Sequence, residues 1–146
     1  MSSSGKFGRR KRDGLTMVEV MMVLVIIGVL TAIAAPSFQR ATEQTQCNLA
    51  AANLQAVWAA QRFYWLENHQ YAPSFANLGD MVDPSIANSS SPYVYSIQII
   101  DNNTFSVSAT RTGSSKWSGP LVIDQTGVLT GAIQASGQQN IVPNPQ

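Results

Sequence analysis

Gly14-Leu15-Thr16-Met17-Val18-Glu19 sets a glycine, a threonine and one carboxylate immediately ahead of an uncharged apolar run, VMMVLVIIGVLTAIAA over residues 20–35. An ionisable group in such a run is expensive, about 2.5–3.5 kcal/mol at a bilayer centre and less near an end, so it usually has a partner. The plain alternative is that Glu19 sits in the first turn of a helix, where the helix dipole favours an acid. A cut after Gly14 would add a second group. It would create an α-ammonium on Leu15 one helical turn from Glu19, and subunits staggered along an axis could then pair the amine of one with the acid of the next.

Elsewhere the chemistry is sparse. His69 is the sole histidine, which excludes His-pair metal motifs and makes a surface or helix-end role the simpler one. Cys47 is the sole cysteine, so no intrachain disulfide exists, and its small neighbours on a helix suit a packed apolar side chain. Asp80 and Asp83 are two spaced carboxylates, whereas a calcium site wants six or more oxygens. No phosphate-cradling glycine motif occurs. The sequence therefore predicts no enzyme, no metal and no cofactor. Two Asn-x-Ser/Thr triplets, at Asn88 and Asn102, are uninformative alone.

The elements that would position Gly14 and Glu19 follow from charge and periodicity. Lys6, Arg9, Arg10, Lys11 and Arg12 concentrate five of the nine basic residues ahead of the apolar run. Basic residues beside a membrane segment stay on the cytoplasmic side, so the rest of the chain faces outward. Beyond residue 15 four bases stand against seven acids, which gives nucleic-acid binding no support. Residues 15–35 rise about 30 Å as a helix, enough to span a hydrocarbon core. A rival is a secretory signal peptide cut after Ala34, since Ala32-Ile33-Ala34 has the small-x-small form. Against it stand the length of the run and Glu19 inside it.

After Pro36 more than thirty residues lack Gly and Pro, and Ala50, Leu54, Val57, Ala60 and Tyr64 recur at helical steps, flanked by Trp58 and Trp65. One long helix over 15–68 is predicted, bent or loosened at Pro36, with Gly28 a second soft point. The aromatic run Phe63-Tyr64-Trp65 reads as core packing of that helix on a sheet. Residues 69–92 form a loop region, with a short turn of helix at Phe75-Ala76-Asn77-Leu78. From Tyr93 the period becomes two: Tyr93, Tyr95, Ile97 and Ile99 share one face, Asp101-Asn102-Asn103 turns the chain, and Phe105, Val107 and Ala109 alternate on the return. Two further strands are predicted over 116–124 and 128–133, then a loose or strand-like tail over 137–146. The fold class is α+β: a long N-terminal helix, its apolar half protruding, its second half on an antiparallel sheet of about four strands.

The stretch GLTMVEVMMVLVIIGVLTAIAAPSFQ resembles the class III signal of type IV pilins and pseudopilins, with Gly, Glu and Pro at that family's relative spacing. Leu15 departs from it, where Phe or Met is commoner. A similar Tyr-x-Pro-x-x-x-x-Leu element, here Tyr71, Pro73 and Leu78, follows the long helix in family members. The resemblance implies a pilin fold in three parts: a leader over 1–14 that is removed, a membrane and assembly helix over 15–36, and a head over 37–146. It implies a prepilin peptidase that cuts between Gly14 and Leu15 and methylates the Leu15 amine, with Thr16 and Glu19 in the assembly segment and Glu19 pairing with that amine on a neighbour. Other implied partners are further pilins, an inner-membrane assembly platform and the membrane itself. The function implied is a structural filament subunit serving adhesion, motility or DNA uptake, held in the inner membrane and then polymerised outside the cell. The alternative is a type II secretion pseudopilin in a periplasmic pseudopilus, and a remote one is a Sec-exported soluble binding module. The tail SGQQNIVPNPQ lacks the acidic calcium loop of major pseudopilins, and the chain cannot close the two-cysteine loop of many pilins.

Overall fold

The computed structural model describes residues 14–88 and 92–144. The basic leader over 1–13 lies outside the described residues. Helix α1, Met17–Asn68, is followed by the short helices α2, Phe75–Leu78, and α3, Pro84–Ala87, with a 3₁₀ turn at Gly79–Met81 between them. Four strands complete the chain: β1, Tyr93–Asp101; β2, Thr104–Arg111; β3, Pro120–Asp124; and β4, Leu129–Gly131. The chain divides into two compact units between Gln39 and Arg40, and α1 contributes to both.

In the first unit α1 is capped by Thr16, whose Oγ1 accepts the Glu19 backbone N–H at 3.2 Å while its carbonyl accepts that of Val20 at 3.2 Å. That side chain satisfies one of the four donors a helix start leaves open. The residues that follow are rich in Val and Ile, which are weak helix formers in water. In hydrocarbon the balance reverses, because no water competes and each backbone group must bond within the segment. Helix α1 runs through Gly28 and Pro36 without a break. The proline ring removes the donor that the Ala32 carbonyl would otherwise meet. Close by, Ser37 Oγ donates to the Ala34 carbonyl at 2.8 Å.

The second unit is a four-stranded antiparallel sheet in the order β1-β2-β3-β4, packed on the rest of α1. Register places Tyr95 opposite Ala109, Val107 opposite Ile123, and Ile123 opposite Leu129. One sheet face carries the alternating set Tyr93, Tyr95, Phe105, Val107, Ala109, Leu121 and Ile123, all buried. Against it lie Cys47, Ala50, Leu54, Val57 and Ala60 of α1. At about 1.5–3 kcal/mol per large apolar side chain fully buried, this interface is the main source of stability in the unit.

Several expectations need correction. The third strand begins at Pro120 rather than residue 116, because Gly119 takes φ +131° and lies so near the Ala132 carbonyl that a Cβ would sit 2.5 Å from its oxygen. The fourth strand is only Leu129–Gly131, followed by isolated bridges from Ser118 to Gln134 and from Ile133 to Ile141. Of the two forms expected for the tail, the strand-like one holds at Ile141, which is buried and bridges Ile133, and the tail is further fastened where Gln44 Nε2 donates to the Val142 carbonyl at 2.8 Å and the Asn144 N–H donates to Asn48 Oδ1 at 3.1 Å. Ile97 is only partly buried and Ile99 is exposed, so the inward set of β1 fades toward its turn. Phe63 is 52% exposed, whereas Tyr64 and Trp65 pack against the core as expected.

Candidate processing and assembly segment

Gly14, Leu15 and Thr16 precede the first helical residue, and Leu15 is 75% exposed. The Gly14–Leu15 peptide bond therefore lies just ahead of α1, outside its helical residues. Among the described residues nothing lies within 4 Å of a Cβ built on Gly14, and they give no packing reason for a glycine there. Gly28 has equally open surroundings, although a helix-interior glycine is about 0.5–1 kcal/mol less stable than alanine.

Every described residue over 14–34 is exposed. Apolar side chains from Met17 to Ile33 thus stay uncovered among the described residues, and this part of α1 is long and apolar enough to cross a membrane. Glu19 is the only charged side chain in 17–39 and, among the described residues, pairs with no cation. Thr16 and Glu19 meet through a backbone cap, a local role for Thr16 readable in the spacing Thr-x-x-Glu. Of the predicted cut and assembly residues, Gly14, Leu15, Thr16 and Glu19 all lie at the start of α1, and residues 1–13 of the predicted leader are outside the described residues. The partner for Glu19 is not supplied by the described chain.

The second unit treats its acid in the opposite way. Glu43 is 4% exposed and is held by Arg111 through Nε to Oε1 at 2.7 Å and Nη2 to Oε2 at 3.1 Å, a two-point clasp from β2 to α1. Tyr93 donates its hydroxyl to Glu43 Oε1 at 3.4 Å, and Arg111 also donates to the carbonyls of Pro92 and Thr112. The Glu43 hydrogen bond raises the Arg111 pKa. Burial, with smaller contributions from Cys47 and Glu43, raises that of Tyr93. Cys47 lies fully buried beside them, its thiol pushed up to about 11 by burial and then by the charge of Glu43. A second hidden polar group is Gln61, which exchanges two bonds with the Ala72 backbone at 2.9 and 2.8 Å and fastens the loop after α1.

His69 ends α1 with φ +55°, its N–H donated to the Trp65 carbonyl at 2.8 Å, which confirms a helix-end role. Asp83 caps α3 by accepting the Ser85 N–H at 2.8 Å, so one of the two loop carboxylates is already in use.

One feature of α1 was missed in the sequence. Leu49, Ala52, Ala56, Ala59, Phe63 and Leu66 repeat at steps of three and four on a face outside the core, with Leu49, Phe63 and Leu66 more than half exposed. The signal was present as a second helical period, overlapped by the stronger inward stripe.

A family described as the prokaryotic N-terminal methylation motif matches residues 9–35. The chain is similar to the type II secretion system core protein G of Pseudomonas aeruginosa, 31% identical over 80 residues, covering 55% of this chain and 56% of that protein. It is 39% identical over 72 residues to the type IV major pilin protein PilA of Myxococcus xanthus, covering 49% of this chain and 32% of that one. A fimbrial protein of Pseudomonas aeruginosa is 35% identical over 65 residues, 44% of this chain and 42% of its own length. The chain thus spans about half or less of the length of most of these relatives. With the motif at the start of α1 and the helix-on-sheet architecture behind it, the chain is similar over about half of its length to type IV pilins and to the type II secretion core protein G.

Proposed function

We propose that this chain is the structural subunit of a type IV pilus-like filament, cut between Gly14 and Leu15 by a prepilin peptidase, methylated on the new Leu15 amine and polymerised through α1. The observation that carries the reading is the exposure of every described residue over 14–34 in a segment that is almost entirely apolar. Before assembly lipid covers that surface, with the basic leader on the cytoplasmic side and the head outward. After assembly the same side chains bury one another in a bundle of neighbouring helices. Glu19 then meets the Leu15 ammonium of another copy, so the acid that is costly in hydrocarbon is neutralised only when a subunit joins. Pro36 and Gly28 are the positions where α1 can bend or loosen to fit the bundle. The outer stripe from Leu49 to Leu66 offers further apolar surface for contact between subunits.

A second reading, a type II secretion pseudopilin, is favoured by the similarity to core protein G. Shearing fibres from intact cells separates the two. Recovery of this chain in the sheared fibre fraction is the result expected of a pilus subunit, whereas copies that cross-link to one another yet stay with the envelope indicate a pseudopilus. A soluble monomer lacking α1's apolar segment overturns both.

A further inference from the structure

We propose that the cleft between the end of α1, the loop before α2 and the β1–β2 turn binds a neutral polyhydroxyl ring, of the size of one monosaccharide unit. It encloses about 280 Å³ and is lined by Tyr64, Gln70, Tyr71, Asn77, Asp101 and Asn102, among others. That volume is at the small end of ligand pockets, about 300–1,000 Å³, and suits a single ring rather than an oligomer buried whole.

The walls are fixed in advance. Tyr71 is 7% exposed, its ring 4.5 Å from that of Phe105, and the adjoining Ala72 backbone is held from both sides by buried Gln61. Across the cleft, Asp101 Oδ1 accepts the Asn103 N–H at 2.8 Å and sets the turn that carries Asn102. A preformed site loses less ordering entropy on binding. Among the described residues, the side chains of Tyr64, Gln70 and Asn102 have no hydrogen-bond partner and are partly or fully exposed, so one phenol and two amides remain available around the opening.

Their chemistry selects the ligand class. The lining holds one carboxylate and no Lys or Arg, so a phosphate or carboxylate ligand would meet repulsion without a cation to answer it. A wholly apolar ligand would cover amides and phenols and leave them unbonded. A pyranose offers hydroxyls to those groups and a C–H face to the partly exposed ring of Tyr64, which is apolar on its face and polar at its tip.

The test uses the full-length chain in a zwitterionic detergent that contains no sugar, with ligand-observed saturation-transfer NMR. The probes are galactose, glucose, mannose and N-acetylglucosamine, with glucuronate as the charged contrast. Saturation transfer from at least one neutral sugar, absent for glucuronate, is expected, with a dissociation constant on the order of millimolar for so few atoms. The double variant Gln70→Ala, Asn102→Ala changes only exposed side chains and should weaken binding roughly fivefold or more, the effect of about one net hydrogen bond, with the circular dichroism melt unchanged. Transfer from no neutral sugar, equal transfer from glucuronate, or unchanged affinity in the double variant would each overturn the proposal. Because the readout is made on unassembled subunits, its failure leaves the filament reading standing.

Discussion

Glu19 and Glu43 stand on the same helix and are treated in opposite ways. In the second unit Glu43 is buried and clasped by Arg111, and the apolar stripe around it is covered by a sheet from its own chain. In the first unit Glu19 is exposed and unpaired among the described residues, and no apolar neighbour over 14–34 is covered. The contrast separates two functions along one element. The part after Arg40 holds the head together, and the part before it is left uncovered among the described residues, which the proposed function assigns to lipid and then to other subunits.

The sharpest way to break this division is Gly14→Trp. Since no contact among the described residues requires a glycine there, the head should melt as the wild type does, while conversion to the mature form should be abolished, read as retention of the leader's mass. Normal maturation of that variant would remove the processing site from the account.

Next in size is Glu43→Ala, which strands Arg111 in a site where it is 10% exposed. Removing one member of a buried pair typically destabilises by about 3–5 kcal/mol, and the lower end fits this partly accessible cation. Thermal unfolding of the head should show a clear drop in Tm, with processing intact. Glu19→Val should do the reverse: cleavage and melting unchanged, but sheared filament yield reduced on the order of tenfold, about 1.4 kcal/mol per subunit contact. An assembly defect in Glu43→Ala at a temperature where its head is folded, matched by normal assembly of Glu19→Val, would invert the division.

Smaller effects refine it. Thr16→Ala deletes the cap on α1 and should cost about 1 kcal/mol of local helix stability, measurable as faster amide exchange over 17–20 with no change in the melt of the head. Cys47 should resist alkylation at pH 8 in the folded chain and react readily in denaturant, because its thiol is both buried and pushed up to about 11. In the intact fold the rate should climb only as pH approaches that value, since the thiolate is the nucleophile.

How much of this could be read in advance depended on whether a feature was local. The start of α1, the inward positions Ala50, Leu54, Val57 and Ala60, and the first hairpin with its Asp101-Asn102-Asn103 turn each announce themselves within a few residues by composition or period. Glu43 did not, because an acid on a helix looks solvated until a strand many positions away brings Arg111 beside it. The fastened tail was hidden for the same reason: its partners Gln44 and Asn48 lie on α1. The late start of β3 follows from the close approach of Gly119 to Ala132, a long-range contact with no local mark. At the candidate site Gly14, Leu15 and Glu19 were legible by spacing, and the capping role of Thr16 was readable but passed over. The cleft at Tyr71 became visible only when loop and turn came together.

The most direct measurement is the intact mass and N-terminal sequence of the protein recovered from its native envelope. The account predicts a chain that begins at Leu15 with a methylated α-amine. A chain that still carries residues 1–14, or one that begins at Ala35, would contradict it.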